Sequence, residues 1–209
     1  PDSVIIGELW QKDATLLRFL RGDRADSTMN YRLRDAVLGL LAPGPFDSKG
    51  FADSGRIIKP SEFMSRVSSI REDYPDAAYY AAMNLLDSHD TERIRWTLTP
   101  GQDTRADKEF NAANVANGAA RMRLAALIQF TMPGMPTVYY GDELAVTGDD
   151  DPDGRRTFPW NSDASLPRPT VLSHYTNLSL ARRMSEALMR GSFQALLADD
   201  DANVVAYGR

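Results

Sequence analysis

The side chains best equipped for chemistry lie in Leu85–Arg93, LLDSHDTER. Two apolar residues lead into a His-Asp pair, His89 and Asp90, and then into Thr91, Glu92 and Arg93. If Leu85 and Leu86 are buried in a strand, His89 and Asp90 emerge at its end, where α/β sheets place their reacting groups. An isolated His-Asp pair is a weak signal, because Asp is also a common helix N-cap. Two further runs strengthen it. Val4-Ile5-Ile6 leads into Gly7-Glu8-Leu9-Trp10, and Met135–Glu143 reads MPTVYYGDE. Three apolar runs that each finish in a carboxylate describe successive parallel strands aimed at one site. A carboxyl beside the Trp10 indole should be partly desolvated, the setting a general acid needs. Taken alone, Glu8 reads as a solvated glutamate at a strand end.

These runs, with FLRGDRADSTMNYRLRDAV at residues 19–37 and DDPDGRRTFPW at residues 150–160, resemble the α-amylase clan, glycoside hydrolase family thirteen. The likeness is closest to its neopullulanase, cyclomaltodextrinase and amylopullulanase members and runs along nearly the whole chain. It implies roles residue by residue. Glu8 is the proton donor and later the base for water, and Asp90 is the carboxylate that stabilises an oxocarbenium-like transition state. His89 meets the hydroxyls of the sugar being cleaved. Asp151 and Arg155 hold a glucose one place away; without the resemblance they read as a surface pair of small value. Asp142 and Glu143 brace the top of the barrel rather than react. In the family the nucleophile is an Asp in a G-x-R-x-D pattern before the Gly-Glu motif. The chain opens at Pro1, seven residues before Glu8, so that nucleophile is expected outside this stretch.

The elements that must position these groups alternate between strand and helix, the pattern of a parallel sheet with covering helices. Val4–Leu9 reads as a buried strand, followed by a short helix over Ala14–Leu20. Ser27–Tyr31 is a second strand, then a helix through Leu33, Val37, Leu40 and Leu41, stopped by Pro43-Gly44-Pro45. Residues 46–59 are a loop, and Pro60–Glu72 is helical. Ala81–Ser88 is the third strand. Asp107–Thr131 is a long helix with Ala120, Leu124, Leu127, Ile128 and Thr131 on its inner face. Pro136–Gly141 is the fourth strand, with Tyr139 and Tyr140 on opposite faces. Residues 142–169 form a long loop in which Phe158 and Trp160 either anchor the loop or stack on a sugar. The last helix, Val171–Met189, turns Val171, Tyr175, Leu178, Ala181 and Leu188 inward and carries a structural His174. Phe193–Leu197 and Val204–Tyr207 form a β-hairpin.

The chain has 209 residues, whereas a complete eight-stranded barrel takes about 250. The fold class is therefore α/β: the C-terminal half of a (β/α)8 TIM barrel, strands five to eight, over residues 1–190. Residues 191–209 begin an antiparallel β-domain. A half-barrel leaves two sheet edges open, and another chain, an identical copy included, is expected to cover them. With 24 basic and 29 acidic residues the net charge is −5, an ordinary surface with no basic field for nucleic acid. Asp149–Asp153 and Asp199–Asp201 are acidic runs, and the second reads as a solvated turn. No signal peptide or membrane span is expected within these residues. Without cysteine there are no disulfides or thiolate metal sites. No metal cage is visible in the His, Asp and Glu spacing, and no cofactor is expected in this segment. The family's calcium sites lie mostly outside it. The implied partner is an α-glucan, and the parent enzyme a retaining glycosidase on α-1,4 bonds, with α-1,6 bonds left open. Two other readings stay open. One is a non-catalytic glucan-binding module using Asp151, Arg155 and Trp160; the other is a structural half-barrel.

Overall fold

The computed structural model describes residues 3–10, 14–51, 53–160 and 168–209. Four short strands run parallel. β1 (Ile6–Gly7) pairs with β2 (Ser27–Thr28), Met29 bridges to Met83, and β3 (Met83–Asn84) pairs with β4 (Met135–Pro136). The strand order follows the sequence, so the sheet is one continuous arc. Helix α1 (Ala14–Leu17) joins the first pair of strands. Helices α2 (Tyr31–Leu41), α3 (Pro60–Asp73) and α4 (Asp76–Tyr80) cross between β2 and β3. Helices α5 (Ile94–Leu98) and α6 (Ala112–Thr131) cross between β3 and β4. After β4 come α7 (Arg168–Arg183), α8 (Glu186–Arg190) and an antiparallel hairpin, β5 (Gln194–Asp199) with β6 (Val204–Gly208).

Local chemistry explains the boundaries. The Asn30 side chain accepts from Leu33 N at 3.1 Å and caps α2. Pro60 opens α3, where it forfeits no helical donor, and Asp200 of the hairpin accepts from both Ser61 N and Ser61 Oγ. The acidic turn at Asp199–Asp201 is thus not merely solvated, because one of its carboxylates caps a helix. Asn111 caps α6, and Pro133 lies just beyond its end. A buried amide ladder ties the strands. Asn30 Nδ2 donates to Asn84 Oδ1, Asn84 Nδ2 to Pro133 O, and Gln129 Nε2 to Asn84 O, all within 2.8–2.9 Å. Gly134 crosses this ladder at φ 113°, where an added Cβ would fall 2.7 Å from Ala82 O.

The core lies between the sheet and α2, α3, α5 and α6, and includes Val37, Phe63, Val67, Leu86, Ile94, Leu98 and Met122. Each such side chain contributes about 1.5–3 kcal/mol relative to exposure. Several expectations change here. Val4 and Ile5 are 67% and 57% exposed, because their stretch leads into the edge strand of the arc. The long helix starts at Ala112, after a wider turn at Ala106–Phe110. Its inner face is Gly118, Ala119, Met122, Ala125, Ala126, Ile128 and Gln129, so Ile128 is inward as expected, while Leu124 and Leu127 are 52% and 41% exposed. Small residues let α6 approach α5 closely, and the two leucines instead line a groove beside Val204–Tyr207. The last helix is two helices that break at Met184–Ser185, with Ala181 outward. Val171 and Tyr175 do face inward, and His174 Nε2 lies 2.9 Å from Arg123 O. Of the expected 142–169 loop, residues 161–167 lie outside the described residues. No described helix is long and apolar enough to cross a membrane.

Candidate active site

Glu8 follows β1 directly, and Asp90 follows the extended segment after β3, so both stand at the C-terminal end of the same parallel arc. Glu8 is exposed rather than desolvated by Trp10. The indole stacks instead on Tyr31, with centroids 3.8 Å apart, and both rings meet Phe51. Tyr31 holds the first of the two carboxylates: its hydroxyl donates to Glu8 Oε1 at 3.2 Å. Beside the second, Ser88 Oγ accepts from Asp90 N at 3.2 Å. Burial, and then the Glu8 charge, push the Tyr31 phenol up, so it stays protonated as a donor.

Asp90 is the meeting point of the other candidates. His89 Nε2 lies 3.2 Å from Asp90 Oδ2, and Arg155 Nη2 lies 3.1 Å from Asp90 Oδ1. Arg155 Nε donates to Asp151 Oδ1 at 2.5 Å. These groups are 40–48% exposed in their side chains, accessible to a ligand yet pre-oriented by one another. Carboxylates, an imidazole and a guanidinium together offer the mix of donors and acceptors that a hydroxyl-rich ligand needs.

Beneath this surface Arg93 is fully buried. It donates through Nε to Gly154 O at 2.7 Å and through Nη1 to Tyr140 O at 2.6 Å, and its backbone N reaches Gly148 O at 3.0 Å. Tyr139 and Tyr140 both flank its guanidinium, 4.0 and 4.5 Å away. They do not alternate across a strand, because β4 ends at Pro136 and the chain turns at Tyr140–Gly141. Arg93 Nη1 also lies 3.4 Å from Asp142 Oδ1. Burial and the neighbouring charge of Asp87 raise the Asp142 carboxyl well above the ordinary value. Asp87 Oδ2 accepts from Ile94 N while its buried Oδ1 has no hydrogen-bond partner, and burial raises the Asp87 carboxyl as well.

A third group of acids was not visible in the spacing, because its members come from separate loops. Ligand atoms of Glu92, Asp103 and Asp149 fall within 4.8 Å of one another. Thr97 Oγ1 donates to Glu92 and Trp96 Nε1 to Asp103, which accounts for two of the three positions. Burial, then Asp103 and Asp149, raise Glu92.

The family model described as "Alpha amylase, catalytic domain" matches residues 1–195. The chain belongs to the α-amylase family. It is 38% identical over 211 residues to an amylopullulanase of Thermoanaerobacter thermohydrosulfuricus, covering 100% of this chain and 13% of that protein. It is 34% identical to a cyclomaltodextrinase of Geobacillus thermopakistaniensis over 209 residues, which make up 100% of this chain and 30% of the relative. The chain thus spans less than a third of either. Among solved structures, the cyclic α-maltosyl-(1→6)-maltose hydrolase of Arthrobacter globiformis superimposes with a TM-score of 0.72 at 30% identity, over 95% of this chain and 38% of that one. The solved neighbours are (β/α)8-barrel enzymes of the α-amylase family.

Within this α-amylase-family frame, the structure gathers Asp90, His89, Asp151 and Arg155, and presents Glu8, held by Tyr31, at the same strand end. Tyr31, Phe51 and Lys49 also border the site and were not singled out in the sequence. Tyr31 had a faint signal, an aromatic at the end of the second strand run. Lys49 had none, because its partner Asp150 is 101 residues away. Trp160 is 86% exposed with Phe158 against it.

Proposed function

We propose that this chain forms part of the catalytic domain of a retaining α-glucan hydrolase, with Glu8 as acid/base and Asp90 as the transition-state carboxylate. The observation that carries the reading is the convergence of Asp90, His89, Asp151 and Arg155 at the strand end that also presents Glu8, in a chain of this family. In this reading residues 1–190 are strands five to eight of the barrel with their helices, and residues 191–209 begin a β-domain. The nucleophile comes from outside these residues.

The reaction is a double displacement. A carboxylate attacks the anomeric carbon while Glu8 donates its proton to the departing glycosidic oxygen, and a glycosyl ester forms. Glu8, now ionised, takes a proton from water, which attacks the same carbon and releases the carboxylate. Asp90 offers negative charge opposite the cationic sugar ring in both steps. Arg155 and Asp151 hold hydroxyls of an adjoining glucose. The relatives' names point to α-1,4 and α-1,6 glucosidic bonds as the substrate class.

The test is hydrolysis of maltotriose, pullulan and cyclodextrin by the complete catalytic domain and by its Glu8→Gln and Asp90→Asn variants. Each variant should lose on the order of 10³-fold or more in kcat. Full activity in either would overturn its assigned role.

A further inference from the structure

The loop at residues 46–59 touches both sides of the site. Its base is pinned to the helices: Asp35 pairs with Ser54 and Arg66, Arg66 Nη2 donates to Asp53 O at 2.6 Å, and Arg56 pairs with Glu62. From that base the chain sends Phe51 against Trp10 and Tyr31, the partner of Glu8. It also sends Lys49 toward the opposite loop. The Lys49 ammonium bonds Asp150 Oδ1 and lies 3.0 Å from Asp47 Oδ2. Asp47 Oδ1 in turn accepts from Lys49 N at 2.8 Å, fixing the turn that aims the side chain.

Asp150 passes this contact on. The oxygen that meets Lys49 also accepts from Asp151 N at 2.8 Å. Asp151 holds Arg155, and Arg155 reaches Asp90. A single line of contacts therefore runs from Lys49 through Asp150, Asp151 and Arg155 to Asp90. The Lys49 side chain is 19% exposed and that of Asp150 47%, so the pair is shielded from water on its lysine side only. Burial works against the ammonium, yet its hydrogen bonds to Asp150 and Asp47 hold it above its ordinary value. The tether thus stays charged across neutral pH.

We propose that Lys49 is a positioning residue for substrate binding: by clasping Asp150 it holds the 150–155 segment, and with it the Asp151–Arg155 pair, at the distance from Asp90 that a sugar requires. This rests on the functional reading above and adds to it a loop that no motif marked. Lys49 touches neither Asp90 nor Glu8, so its effect falls on binding rather than on the chemical step.

The experiment uses the complete catalytic domain with Lys49→Met, Lys49→Arg and Asp150→Asn. For maltotriose, Lys49→Met should raise KM roughly 3- to 10-fold with kcat changed less than about twofold. Lys49→Arg, which keeps charge and donors, should restore KM to within about twofold. Asp150→Asn should match Lys49→Met, and the double variant should be no worse than either single one. Hydrogen exchange supplies a second readout: peptides covering 147–156 should exchange faster in Lys49→Met while those of α6 do not change. An unchanged KM overturns the proposal even if exchange quickens, because the clasp would then be merely structural. A raised KM with unchanged exchange also overturns it, since Lys49 would be acting on sugar directly. If the unsubstituted domain cleaves no α-glucan, the functional reading fails, and the exchange data alone decide whether the clasp exists.

Discussion

Arg155 and Asp90, 65 residues apart in sequence, meet with Nη2 3.1 Å from Oδ1. The guanidinium is shared, because its Nε is bonded to Asp151 at 2.5 Å. Arg155 therefore connects a carboxylate proposed to stabilise charge with one proposed to hold a neighbouring sugar. In the complete catalytic domain Arg155→Ala should raise KM on maltooligosaccharides about tenfold and lower kcat much less. Steady-state kinetics on maltotriose and maltotetraose check this, and an unchanged KM would reject the assignment.

Tyr31 donates its hydroxyl to Glu8 at 3.2 Å. Tyr31→Phe keeps the ring that stacks on Trp10 and removes only this hydrogen bond, so the fold should survive. We expect kcat to fall roughly 10-fold, since a lost hydrogen bond to a charged group is worth about 1.5–3 kcal/mol at most. Melting curves beside kinetics separate the two effects. A lowered melting point with unchanged kcat would mean the Tyr31–Glu8 hydrogen bond serves stability alone.

The site was legible where chemistry and spacing were local. His89, Asp90, Asp151 and Arg155 stand in two short runs, and burial of Leu85 and Leu86 follows from the apolar lead-in. What the sequence hid depends on which surfaces are covered. Leu124 and Leu127 form an apolar stripe as regular as any buried one, yet α6 turns Gly118, Ala119 and Met122 inward because small side chains allow close approach. Val4 and Ile5 look like core and lie uncovered. The Asp87–Asp142 pair needed two loops brought together before either acid could be seen as buried and coupled.

That close approach can be tested at Gly118. A Cβ there would fall 2.1 Å from Thr99 Oγ1 and 2.9 Å from Thr99 Cα. Part of the clash is with backbone, so side-chain rotation cannot relieve it. Gly118→Ala should destabilise the fold by about 1–3 kcal/mol despite alanine's higher helix propensity. Chemical denaturation measures this. A neutral or stabilising result would mean α5 and α6 are further apart than described.

The buried acids predict a pH dependence. Folded Asp142 keeps its proton to well above the ordinary carboxylate value, owing to burial and the Asp87 charge. Unfolded Asp142 loses its proton within the ordinary range. Between those two values only the unfolded chain releases the proton, so rising pH favours unfolding. The contribution is fully present below the ordinary range and declines as pH climbs toward the raised value. In Asp142→Asn the amide keeps the size of the acid and does not titrate. Melting curves from about pH 4 to about pH 8 should therefore be flatter for Asp142→Asn than for the unsubstituted protein. Parallel curves would show that folded Asp142 does not hold its proton above the ordinary carboxylate range.

The last expectation concerns the 209-residue chain tested alone. Glu8 can donate a proton and Asp90 can face a cationic ring, but neither is assigned to form the covalent glycosyl ester. Losing one member of a cooperating catalytic set commonly costs on the order of 10⁴-fold or more. Solvent adds to the deficit. Glu8 is exposed, and a water-filled site weakens each electrostatic contact that the reaction uses. Pairing with an identical copy would cover sheet edges without adding a nucleophile. These residues by themselves should therefore release no reducing sugar from starch, pullulan or cyclodextrin at an enzyme-like rate. The control is the same chain with Glu8→Gln. Release well above background that disappears in this variant would mean that a carboxylate among these residues serves as nucleophile, and the division of labour proposed above would be wrong.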